Sequence, residues 1–277
     1  MKVDKGFEEK SVNLGKVRIN YVEAGKGKVI VMIHGWTNNW IGMVPLAKYL
    51  KKKYRVILLD LPGYGDSSRL KKYRCSIEAR YVKRFIDKLD LKKVTILGHS
   101  MGTFVTAKFY KKYPKRAEKI VMVGAVLRKE GRQLLTKTME RFFGVVSRRG
   151  FLETVVKKTV DIKTYSYLTA KYINMYKFDK KIIDVYGLVG KRKMDKKAYS
   201  QMGREIARIK IENLIKRNKV PMLFVFGKYD KICNLRQAKE VLKGKGRYEF
   251  GEIDEAGHVV TVEKPRETAM IVEKFVR

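Results

Sequence analysis

Residues 98 to 102 read Gly98-His99-Ser100-Met101-Gly102, a serine with a glycine two places away on either side. Before them stands a short apolar, β-branched run, Val94 to Leu97. After them Phe104, Val105, Ala107 and Phe109 recur at helical spacing. A serine on so sharp a strand-to-helix turn takes a strained backbone, and larger neighbours at 98 or 102 would strike the adjoining strand and helix. The turn lifts the Ser100 hydroxyl off the sheet edge, where a base can reach it. The helix that starts there turns free N–H groups toward an incoming oxyanion. These are the requirements of a nucleophile.

A serine hydroxyl needs a general base, and histidine is the usual one near neutral pH. The chain has three histidines. His99 adjoins Ser100 and cannot turn back to the hydroxyl without undoing the turn. His34 ends a strand before Gly35 and is expected to shape that loop. His258 follows the last strand in Glu255-Ala256-Gly257-His258, and is the base by elimination and by position. The carboxylate that orients it is expected from Asp230, at a strand end in Gly227-Lys228-Tyr229-Asp230. The strand ending near Val123 offers only Gly124 and Ala125, and Asp60 and Asp66 read as turn residues. Oxyanion donors are expected from the backbone N–H of Met101 and of Trp36, the latter in the loop His34-Gly35-Trp36.

These residues need a scaffold that brings strand ends together. Phe7–Val12 and Val17–Glu23 flank a turn at 13–15 and read as a hairpin. Apolar strands are expected at 28–33, 55–60, 94–97, 119–126, 222–226 and 247–253. Helices are expected at 44–50, 77–89, 235–242 and 265–275, and one from the serine turn to about Pro114. Such alternation predicts an α/β fold with a mostly parallel sheet covered on both faces, whose strand ends share one crevice. The rhythm breaks over 128–194, where Leu134, Met139, Phe142, Phe143, Phe151, Val155, Tyr165, Leu168, Tyr172 and Met175 keep helical spacing. Three or four short helices are expected there as a cap inserted into a core of 1–127 and 195–277. A longer amphipathic helix from Asp195 to Ile215 should lead back to the sheet.

Composition bounds the rest. A chain of 277 residues can bury a sizeable core. It has no run long and apolar enough to span a membrane. Its first five residues are no secretory signal. Cys75 and Cys233 fit no metal spacing and read as free thiols, which suggests a reducing, cytoplasmic setting. Lys and Arg number 64 against 28 Asp and Glu, a formal net charge of +36. The excess is only modestly denser in 128–194 than elsewhere and no nucleic-acid motif accompanies it. Weak electrostatic association with anionic surfaces is expected, without a specific nucleic-acid partner.

Taken together, His34-Gly35-Trp36, the run Asp60 to Ser67, Gly98 to Gly102, Gly227 to Asp230 and Gly257-His258 resemble the α/β-hydrolase-fold serine hydrolases, in their capped esterase/lipase-like branch. The resemblance implies a doubly wound sheet with a helical cap and a Ser100–Asp230–His258 triad. It implies hydrolysis of a small carboxylic ester through an acyl-enzyme, with no metal or organic cofactor. Epoxide hydrolases and haloalkane dehalogenases of this family carry Asp where Ser100 stands, and iminopeptidase-like members carry H-G-G-P-G where this chain has His34 to Asn38. Perhydrolase-like members and slow-turnover signalling receptors share the triad. Phe142, Phe143, Tyr165 and Tyr172 of the cap are the expected substrate-binding side chains.

Overall fold

The computed structural model describes residues 6–128 and 133–277, and of 133–136 the backbone alone. The readings made above for the first five residues and for Leu134 lie outside the described residues. Eight strands form one sheet: β1 (Glu8–Leu14), β2 (Val17–Ala24), β3 (Val29–Ile33), β4 (Arg55–Leu59), β5 (Val94–His99), β6 (Ala117–Val123), β7 (Met222–Gly227) and β8 (Glu249–Ile253). Their order is β1-β2-β4-β3-β5-β6-β7-β8. The hairpin β1/β2 and its junction with β4 are antiparallel, and all the other pairs are parallel.

Alternation along each strand divides the core in two. Val31, Ile33, Ile57, Leu59, Ile96 and Phe224 face one layer, whereas Ile30, Met32, Val56, Leu58, Leu97 and Val225 face the other. The helices Cys75–Lys88 and Met101–Lys112 cover the first layer with Phe85, Phe104 and Phe109. Val44–Leu50 and Pro265–Val276 cover the second with Leu46, Leu50, Val272 and Val276. With both faces buried, the parallel strands read as continuous apolar runs, which is why their positions follow from sequence to within a few residues.

Between β6 and β7 lie helices and, among the described residues, no strand. They are Gln133–Val146, Gly150–Asp161, Lys163–Thr169, Lys180–Ile182 running on to Arg192, and Lys196–Arg208. Two of them carry π-helical turns, at Ala170–Asn174 and Ile183–Gly187. The helix expected over Asp195–Ile215 is divided. It stops at Arg208, passes through extended Ile209 and Lys210, and resumes as Ile211–Ile215. At the break the Arg128 guanidinium takes the Ile206 and Ala207 carbonyls that residues 210 and 211 would claim in a continuous helix. The first piece packs along Gln133–Val146 and the second on Met101–Lys112. No helix among the described residues is long and apolar enough to cross a membrane.

Candidate active site

The serine turn sits where β5 meets the helix Met101–Lys112. Ser100 has φ +49° and ψ −114°, a strained conformation for a residue with a side chain. It is held by its N–H on the Val123 carbonyl at 2.9 Å. A Cβ on Gly98 would lie 2.6 Å from Gly102 backbone, and one on Gly102 would lie 2.4 Å from the Ile33 carbonyl oxygen. Both glycines are therefore required by close contact, Gly98 with the helix that follows the turn and Gly102 with the end of the neighbouring strand β3.

His258 and Asp230 converge on this serine from two other strand ends. His258 Nε2 stands 2.8 Å from Ser100 Oγ, and its Nδ1 stands 2.9 Å from Asp230 Oδ2. The other carboxylate oxygen of Asp230 accepts the Ile232 and Cys233 N–H groups at 2.8 and 3.1 Å. Burial pushes this carboxyl up, but His258 and the two backbone donors outweigh it, and the group lies below its ordinary value. An ionised Asp230 accepts the Nδ1 proton, which leaves the Nε2 lone pair facing the serine hydroxyl. Such an arrangement can take a proton from Ser100 and return it to a leaving group.

The other two histidines do what their positions suggest. His34 donates from Nδ1 to the Gly35 carbonyl at 2.8 Å and accepts the Leu61 N–H on Nε2 at 3.2 Å. His99 turns away from the serine and bonds the His258 carbonyl through Nε2 at 3.2 Å. Burial lowers both to about 4, so each is neutral. Asp60 is a buried hub in its turn, accepting from Trp40 and Asp66 N–H and from Asn20 Nδ2. Asp66 pairs with Lys193.

Met101 opens its helix, so its N–H has no acceptor within that helix. The loop that carries Trp36 passes close by: a Cβ on Gly35 would lie 3.5 Å from Ser100 Cβ. The Trp36 indole stacks on Tyr199 at 4.7 Å and meets the edge of Phe143 at 5.4 Å. Of the four aromatic residues expected to bind substrate, Phe143 alone is buried, in that cluster. Phe142, Tyr165 and Tyr172 are 49 %, 39 % and 59 % exposed.

Sequence reading missed three participants. Asn174 accepts the His258 N–H on its carbonyl at 2.7 Å, a backbone contact that no side chain announces. Glu263 bridges the Tyr176 N–H at 2.7 Å and the Gly257 N–H at 3.0 Å, and so ties the His258 loop to the segment after the π-helical turn. Tyr199 was visible only as one apolar position of an amphipathic helix.

Comparison with known proteins places this geometry. A family model described as the alpha/beta hydrolase fold matches residues 28–265. The 2-hydroxy-6-oxononadienedioate/2-hydroxy-6-oxononatrienedioate hydrolase of Escherichia coli is 36 % identical over 118 residues, 39 % of this chain and 40 % of that protein. Its namesake from Comamonas testosteroni is 33 % identical over 120 residues, 40 % and 41 % of the two chains. The match thus spans about two fifths of the length of these curated relatives. Among solved structures, a thermophilic esterase from Thermogutta terrifontis superposes with a TM-score of 0.76 at 17 % identity, covering 98 % of each chain. An epoxide hydrolase superposes with a TM-score of 0.79 at 21 % identity, over 97 % of this chain and 98 % of that one. With the family model running from β3 to the last helix, and with the sheet and its serine turn built as described, this chain belongs to the alpha/beta hydrolase fold family.

Proposed function

We propose that this hydrolase cleaves small carboxylic esters through an acyl-enzyme on Ser100. The observation that carries the reading is the unbroken hydrogen-bonded chain from Ser100 through His258 to Asp230, set on a strained turn. Ser100 Oγ attacks the ester carbonyl while His258 Nε2 takes its proton. The oxyanion is held by the N–H groups of Met101 and Trp36, and His258 returns the proton to the leaving alcohol. A water deprotonated by His258 then attacks the acyl carbonyl, and His258 returns that proton to Ser100 Oγ as the acid leaves. Asp230 keeps the imidazole in one tautomer throughout. No metal or organic cofactor takes part in this scheme.

The helices between β6 and β7 act in this reading as the cap, which runs on through Lys196–Arg208. Phe143, with Trp36 and Tyr199, supplies the apolar wall nearest the serine loop. Each added methylene that reaches the wall should gain up to about 0.8 kcal/mol. Turnover of p-nitrophenyl esters should therefore rise from acetyl toward medium acyl chains and fall for dodecanoyl. Rates at buffer background across that series would refute the ester reading.

A second reading has its own support. The curated relatives at 33–36 % identity are named for hydrolysis of a hydroxy-oxo dienedioate, and the same triad can serve a carbon–carbon bond beside a ketone. Comparing kcat/KM for such a dienedioate with that for the best p-nitrophenyl ester decides between the two substrates.

A further inference from the structure

The helix Lys163–Thr169 with its π-helical continuation to Asn174 has its apolar side turned to water. Its buried side chains are Ser166 and Ala170, small and four apart. On the opposite side Tyr165, Leu168 and Tyr172 recur at helical spacing and are 39 %, 51 % and 59 % exposed. A helix seated on a core shows the reverse arrangement. The face continues through Ile173, Tyr176 and Phe178, all exposed, and across to Tyr229, whose ring stacks on Tyr176 at 4.4 Å. Apart from Tyr229 and Met270, every large apolar side chain recorded as exposed among the described residues lies between 142 and 185.

Cations border this face. Lys171 Nζ lies 5.3 Å from the Tyr172 ring centroid and Lys228 Nζ lies 5.9 Å from that of Tyr229. Lys231 donates to the Tyr172 carbonyl at 2.9 Å, and Lys177 is exposed between Tyr176 and Phe178. Of the nearby acids, Asp184 is taken by Tyr167, Lys163 and Lys180, Asp179 accepts the Lys181 and Ile182 N–H groups, and Asp254 pairs with Lys228.

We propose that this face docks on an anionic lipid surface. Aliphatic side chains enter the acyl boundary, tyrosines favour the headgroup level, and lysines meet the lipid charge; the face offers all three together. A second copy is the wrong occupant, because it would bring the same lysines, on a chain of net charge +36, against each other. Nucleic acid would gain little from Leu168 and Ile173, which neither stack on bases nor read their edges. The Asn174 carbonyl that receives the His258 N–H belongs to the same helix, so docking would set the site beside the lipid phase. The proposal stands without the ester reading, because binding is measured without turnover.

The test is sedimentation of the intact chain with vesicles of equal parts phosphatidylcholine and phosphatidylglycerol, against phosphatidylcholine alone. Binding should favour the anionic vesicles. Leu168→Ser with Ile173→Ser should weaken it about tenfold, as should Lys171→Gln with Lys177→Gln at low salt. Lys111→Gln with Lys112→Gln, at the far end of the nucleophile helix, should change it less than about twofold. Wild-type binding by the Leu168/Ile173 variant, or equal losses from the two lysine pairs, would reduce the effect to diffuse charge and overturn the proposal. So would a wild-type dimer in sedimentation velocity that the Leu168/Ile173 variant dissociates, with no vesicle binding in either.

Discussion

Where β5, β7 and β8 end, the buried polar groups of His99, Asp230 and His258 meet one another or a backbone partner at 2.8–3.2 Å. The helices between β6 and β7 also bury polar groups: Lys157 against the Lys191 carbonyl, Lys191 against Ser166, and Glu153 against Ser200. Yet there the apolar side chains of Phe151, Leu168 and Tyr172 stay in water. In the first region the polar contacts fix the relative position of three side chains brought from distant parts of the chain. In the second they join helix to helix, where apolar packing could serve as well. Buried polarity in one molecule thus has two meanings, and substitutions should separate them.

Ser100→Ala should give the largest effect, a loss of about 10⁵-fold in ester kcat with the melting temperature kept, since the change is small and Ser100 is partly exposed. Asp230→Asn should cost about a hundredfold or more, because an amide facing Nδ1 unsettles the histidine tautomer. A silent Asp230→Asn would mean that the contacts at the strand ends are as dispensable as those between the helices.

Lys191 probes the other region. Burial pulls its ammonium down to about 8 from an ordinary 10.5. Between those values the unfolded chain holds the proton and the folded chain does not, so stability should rise with pH through that window. The rise should be on the order of 3 kcal/mol, and the full cost of burial is present at pH 7. Lys191→Met should remove the slope and raise the melting temperature at neutral pH. A destabilised variant that keeps the wild-type slope would show that the helices need their buried charge.

Glu263 joins the two regions, and its substitution should have the smallest effect. Glu263→Gln retains one acceptor for two backbone donors, so the His258 loop should loosen from the segment at Tyr176. We expect kcat to fall about tenfold with KM little changed, the mark of a positioning residue. A change in KM alone would place the bridge in substrate binding.

The difference between the regions also explains what the sequence revealed. Buried parallel strands leave unbroken apolar runs, and chemistry clusters at their ends, so Ser100, Asp230 and His258 could be named from residue types and order alone. Helical periodicity says that a face is apolar but not which way it points. Tyr165 and Tyr172 therefore read as inward-facing, and the structure exposes them. The break after Arg208 was hidden because the group that takes the carbonyls there, Arg128, lies far away along the chain. Asn174 escaped notice because it acts through its carbonyl, and Glu263 because nothing in its spacing marks a bridging acid.

Ser100 and His258 do not hang from equally secure strands. β5 lies mid-sheet between β3 and β6, whereas β8 is an edge strand, paired among the described residues only with β7 and carrying exposed Glu249 and Glu252. Edges fray before centres do. Warming or denaturant should therefore part His258 from Ser100 while the rest of the sheet is still closed. Loss of the working site and collapse of the fold become separate events, and the lifetime of the site is that of its outermost strand.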